Sequence, residues 1–273
     1  ILPRAVAWST LATQIGMVLG PWIGGVLCAI SPFWANGAAG IMYVVASVTG
    51  FLLLAMPINA LPKPSGQTRL TMIRDGLAYL WSSKIVLGAI SLDLFAVLLG
   101  GVTALLPVFA RDVLEVGPYG FGLLRSASAI GGGLATLVIS RRPITRHAGL
   151  WMLCSVVVYG ITTIIFAFSK DLWLSMAMLV VLGAADSVSV FVRQSLVQIV
   201  TPNHMRGRVS AVAGLFISAS NELGEFESGT AARILGPIGS ALFGGIGSIA
   251  VTALWAKLFP ALRRADRMIA PKE

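Results

Sequence analysis

The sequence predicts an all-α integral membrane protein with about eight transmembrane helices. Three observations carry that expectation. Hydrophobic residues make up 56% of the 273 and charged residues only 11%, against roughly a quarter charged in soluble domains, and mean hydropathy is +0.87. Apolar runs recur that match or exceed the roughly 20 residues a helix needs to cross a bilayer. The connections between them alternate between strongly basic and nearly free of basic charge.

The spans fall at about 5–30, 35–56, 86–109, 119–140, 149–168, 172–199, 208–232 and 237–259. The first holds Gly16, Gly20 and Gly24 at every fourth position, with Pro21 and Gly25 beside them. Bare positions on one helix face let a second helix approach closely, and Pro21 removes a backbone donor and bends the helix there. Alternate connections carry Arg4; Lys63, Arg69, Arg74 and Lys84; Arg141, Arg142 and Arg146; Arg206 and Arg208; and Lys257, Arg263, Arg264, Arg267 and Lys272, which is 15 of the 20 basic residues. Positive charge marks the cytoplasmic side, so both ends of this chain are expected there. The net charge of +9 is then topological. Dispersed among loops, it does not form the clustered basic face that nucleic acid requires.

The connection after the second span contains Pro62-Lys63-Pro64-Ser65-Gly66, which cannot continue a helix. Leu70, Ile73, Leu77, Leu80 and Trp81 then follow helical spacing, either on the membrane surface or docked on the protein. Four regions result: 1–56, the last two helices of an N-terminal six-helix bundle; 57–84, a central cytoplasmic loop with an amphipathic helix; 85–260, a C-terminal six-helix bundle; and 261–273, a cytoplasmic tail. Because the chain opens with Ile1 directly before a span, it is read as lacking the first four of twelve spans. Pro3-Arg4-Ala5-Val6-Ala7 and Arg206-Gly207-Arg208-Val209-Ser210-Ala211-Val212 open spans six apart, the weak internal echo that parallel repeats leave.

Ionisable residues inside spans are costly in hydrocarbon and usually face a cavity or a partner. Asp93, Arg125, Asp186 and Arg193 are of this kind. They act either in function or as ion pairs locking helices, and Arg193 can also snorkel outward. In the seventh span Gly214, Ser218, Asn221, Glu222, Glu225 and Gly229 share roughly a 100° sector. Glu222 and Glu225 are neighbours there. Like charges that close disfavour double ionisation, so the pair is a candidate for proton exchange beside a substrate path. Glu227 points almost opposite and is assigned to a polar helix end.

The G-x-x-x-G-P-x-x-G-G pattern of Gly16 to Gly25 resembles the antiporter motif on the fifth helix of major facilitator superfamily exporters. The C-terminal half resembles the enterobactin-exporter type more narrowly. Leu124-Arg125-Ser126-Ala127, then Gly183, Ala184, Asp186, Arg193 and Gln198, match its pattern, as do Pro202 and Met205 to Val212. Ser220 to Gly229 and Leu258 to Arg263 match as well. The loop Arg141 to Arg146 keeps its basic residues but lacks the acidic partner of the superfamily's loop motif. The resemblance implies a proton-driven efflux permease of a bacterial inner membrane, with siderophore-like or amphiphilic drug substrates. An alternative is a non-transporting membrane module or degenerate transporter.

Other classes are disfavoured by the residues. No phosphate-binding G-x-x-x-x-G-K-[ST] loop occurs, and Gly131-Gly132-Gly133 lies mid-span. His147 and His204 sit in connections, while Cys28 and Cys154 lie in apolar runs, so no enzyme site, metal or cofactor is expected. The expected partners are a small-molecule substrate, protons and the lipid bilayer, with the protein acting as a monomer. In the mechanism this implies, two bundles rock about their interface, the glycine face of the first span meets Gly131 to Gly133 of the fourth, and Glu222 and Glu225 exchange a proton for substrate. Asp186, Arg193, Arg125 and Asp93 tune or gate the exchange.

Overall fold

A computed structural model describes residues 2–54, 69–142 and 144–265. Helices α1 (Leu2–Ile30) and α2 (Pro32–Leu54) form a hairpin about Ser31. Pro32 opens α2, where its missing N–H is no loss, and the Phe33 N–H donates to Ser31 Oγ at 3.3 Å. Then follow α3 (Arg69–Ser82), α4 (Lys84–Leu99), α5 (Val102–Val108) with a π-helical turn Phe109–Val113, and α6 (Gly117–Arg141). The chain continues through α7 (Ala148–Phe168), α8 (Leu172–Val200), α9 (Arg206–Leu258) and α10 (Pro260–Arg263). Asp171 caps α8 by accepting from the Leu174 N–H at 2.8 Å. The Pro62–Gly66 linker and the tail beyond residue 265 lie outside the described residues.

Six of the described helical stretches are long and apolar enough to cross a membrane, and Ile15–Ile30 adds a shorter apolar one. Helix α9 has 53 residues. At 1.5 Å per residue it would extend roughly 80 Å if straight, far beyond the roughly 30 Å bilayer core. It instead folds back at Gly236, whose φ of 75° and ψ of 165° suit a residue without Cβ, directly before Pro237. The two limbs meet: Ser240 Oγ donates to the Ser228 carbonyl at 3.0 Å. The seventh and eighth spans are therefore joined by a single-residue reversal.

The third span differs from its expected form. A continuous helix over 86–109 is interrupted at Gly100 and Gly101. The Gly100 N–H still donates to Ala96 O at 2.8 Å, and the Val102 N–H donates to Gly100 O at 2.7 Å. Each of these carbonyls accepts a second donor from a neighbouring helix: the Tyr159 hydroxyl of α7 donates to Gly100 O, and Ser248 Oγ of α9 donates to Ala96 O at 3.2 Å. The interruption also brings Gly101 against α9, where a Cβ would lie 2.8 Å from Gly224 O.

For α3, the sequence left membrane-surface and protein-docked positions open, and the structure shows docking. Leu80 is buried with Val86, Ile90, Val209 and Val212, and Tyr79 donates to Val200 O at 2.8 Å. Gly76 lies under α9, where a Cβ would be 3.0 Å from Arg208 O. Asp75 pairs with Arg208 at 2.9 Å. Ile73 and Trp81 stay exposed, so one flank of α3 remains apolar and uncovered by the described chain.

The main core lies where α6, α7 and α8 meet α5, with Leu106, Phe109, Leu124, Phe166, Leu179 and Leu182 buried together. Helix α6 crosses α8 backbone to backbone. A Cβ at Gly131 would overlap the Val180 carbonyl, and one at Gly183 the Ser128 carbonyl. By contrast, nothing among the described residues lies within 4 Å of a Cβ built at Gly20. Overpacking a close contact costs about 1–3 kcal/mol or more. We expect Gly183→Leu to lower the melting temperature in detergent by several degrees or abolish folding, with Gly20→Leu near wild type. Equal melting of the two variants would contradict this crossing.

Candidate functional site

Helix α8 supplies the site's centre. Arg193 turns inward and pairs with Asp93 of α4; their side chains are 4% and 6% exposed. Arg193 Nε has no hydrogen-bond partner among the described residues. Arg193 therefore does not snorkel, and the ion-pair role is the one the geometry supplies. Asp186 lies two turns earlier on α8 and is exposed. Asp93 and Asp186 line one small void of about 20 Å³ with Ser155, Tyr159 and Ser189, and the buried Ser189 Oγ has no partner there among the described residues.

A larger cavity of about 300 Å³ opens between α8 and α9 on the other side of Arg193, lined also by Gln194, Gln198, Ser210 and Gly214. Gln194 and Gln198 are exposed one turn apart on α8 and share one face toward this cavity; Asp186, also exposed, lies on the face of Arg193 instead. On α9, Val209, Val212, Ala213, Ser220, Gly224 and Ser228 are buried against the bundle. Gly214, Ser218, Asn221, Glu222, Glu225 and Gly229 are all exposed. The small and polar stripe thus lies outside the bundle core, and Gly214 joins it to the Arg193 cavity. Beside it runs a separate apolar flank with Leu215, Leu223 and Phe226 exposed. Glu227 is half-buried and accepts from Ser228 Oγ at 3.4 Å.

The structure corrects the expected seam between the first and fourth spans. Helix α1 does pack on α6, but not through Gly16, Gly20 and Gly24, which have open space among the described residues. A Cβ at Gly25 would lie 2.8 Å from Pro118 O and 2.9 Å from Gly122 Cα, and one at Gly122 would lie 2.6 Å from Pro21 O. Ser126 Oγ donates to Val18 O at 2.8 Å. Val18, Pro21 and Gly25 form the contacting face because three- and four-residue steps keep them aligned. Gly131 and Gly132 are turned toward α8, not α1. A spacing of four marks a close-approach face, but an isolated sequence does not say which neighbour uses it. Gly16 and Pro21 instead border a cavity of about 530 Å³ with Thr103, Leu106, Arg125 and Ser128.

Gln194 and the void-lining Tyr159, Ser155 and Ser189 were missed by sequence reading. The four-residue spacing of Gln194 from Gln198 could have found the first. The other three carry no signal, since isolated hydroxyls in apolar helices usually bond their own turn, as Ser155 does to Trp151 O.

Long apolar helices with glycine crossings, a buried ion pair and polar faces turned outward define a multi-pass α-helical membrane protein. The chain belongs to the Major Facilitator Superfamily, whose family model matches residues 2–225. It is 26% identical over 268 residues to the enterobactin exporter EntS of Citrobacter koseri, covering 96% of this chain and 62% of that protein. The enterobactin exporter EntS of Shigella boydii is 25% identical over the same shares. The chain thus spans about three fifths of the length of these relatives. In fold it is similar to a bacterial homologue of the human lysosomal transporter Spinster, crystallised inward-facing and unoccupied. That likeness has a TM-score of 0.62 and 12% identity, over 96% of this chain and 70% of the other.

Removing one partner of a buried ion pair costs about 3–5 kcal/mol, because the other charge is left uncompensated. Asp93→Asn should therefore melt well below wild type in detergent, and adding Arg193→Gln should recover much of the loss. A single variant that melts at the wild-type temperature would remove this pair as the tie between α4 and α8.

Proposed function

We propose that the protein exports a small molecule, siderophore-like or an amphiphilic drug, across the bacterial inner membrane in exchange for protons. The observation that carries this reading is the outward polar stripe of α9 joined to the α8 cavity. Asn221, Glu222 and Glu225 are exposed on a membrane-spanning limb, and charge at that depth requires a water-filled path rather than lipid. Similarity to exporters over 96% of the chain supports the direction of transport. In this reading residues 1–56 close the first bundle, 57–84 link it to the bundle of 85–260, and 261–273 form the tail. Both ends are cytoplasmic and the protein works as a monomer.

Glu222 and Glu225 are the proton-exchanging groups, and Asn221 and Asp186 line the same path. The Asp93–Arg193 pair holds α4 to α8 while the bundles rock to give alternating access. The test uses energised inverted membrane vesicles that contain the protein. Adding enterobactin, and then a panel of amphiphilic drugs, should release protons with at least one compound. The Glu222→Gln, Glu225→Gln double variant should lose that release while still inserting. Undiminished release in the double variant would end the carboxylate assignment, and no release from inserted wild type with any compound would count against the efflux reading.

A further inference from the structure

We infer that Arg125 is the anion-recognising group of this path, so that the compound it takes carries a carboxylate-like pair of oxygens. The inference rests on the efflux reading and adds a substrate class to it. An arginine stays charged in any protein setting. Within a bilayer such a charge is paired or faces a watery cavity. Arg193 follows the first course, buried against Asp93. Arg125 follows the second: it is exposed on α6 and makes no ion pair among the described residues. It borders the cavity of about 530 Å³ between α1, α5 and α6, a volume in the range of small-molecule sites.

The walls suit an anion of modest size. Gly16 leaves open space on the α1 side, while Thr103 and Ser128 bring hydroxyls to the lining, each able to donate. The backbone that carries Arg125 is held by its neighbours in sequence. Leu124 is fully buried, and Ser126 Oγ is tied to Val18 O across the seam at 2.8 Å. The held turn places Arg125 at the cavity lining, and a guanidinium matches a carboxylate-type oxygen pair in two parallel hydrogen bonds.

The test is equilibrium binding of labelled 1-naphthoate and its neutral analogue 1-naphthamide to the protein in phosphatidylcholine nanodiscs. Wild type should prefer the carboxylate by about ten- to a hundredfold, the range of charge-assisted hydrogen bonds. Arg125→Gln should lose the preference yet keep naphthamide binding, which shows the cavity is intact, and Arg125→Lys should fall between. No preference in wild type, binding of neither compound, or a preference that survives Arg125→Gln would overturn the assignment. Loss of the preference when anionic phosphatidylglycerol is added would hand the site to a lipid headgroup and overturn it as well. Binding with the expected preference, but without proton release in vesicles, would leave Arg125 as the anion site and defeat the efflux reading alone.

Discussion

The backbone-to-backbone crossing of α6 and α8 is the contact on which the rest of the molecule depends. Gly131 and Gly183 leave no room for a Cβ against the Val180 and Ser128 carbonyls. In lipid there is no hydrophobic drive between apolar helices, so close van der Waals contact must supply the association. Once α8 is seated on α6, its other faces are set. Arg193 faces α4 and finds Asp93, Asp186 on the same face borders the void beside them, and Gln194 and Gln198 border the cavity toward α9. Which polar side chains are enclosed thus follows from where the glycines allow helices to touch.

Polar backbone inside the bundle follows the same economy. Where the third span breaks at Gly100, the Ala96 and Gly100 carbonyls each keep a backbone donor. Tyr159 and Ser248, from two different helices, add a second donor to them. The break is therefore tied into α7 and α9, and it lets Gly101 pack beside Gly224. One reversal at Gly236 turns a 53-residue helix into two limbs, and Ser240 Oγ ties them by donating to the Ser228 carbonyl.

Charged groups divide by environment. Arg193 and Asp93 are enclosed and hold helices together. Glu222, Glu225, Asn221 and Arg125 are exposed on faces that the described bundle does not cover, and Asp186 borders the void beside the pair.

The sequence by itself determined the fold class, most helix bounds to within a few residues, the α9 stripe, and the family. These follow from hydropathy, helical periodicity and local motifs, all properties of neighbours along the chain. It also marked Asp93, Arg125, Asp186 and Arg193 as out of place in hydrocarbon. Tertiary structure alone decided their partners. Asp93 and Arg193 are 100 residues apart in the chain, and no spacing rule links them. It likewise decided that Gly25 rather than Gly16 or Gly20 meets α6, and that α3 docks on α9. Close approach is a relation between two surfaces, and one helix's sequence describes only its own.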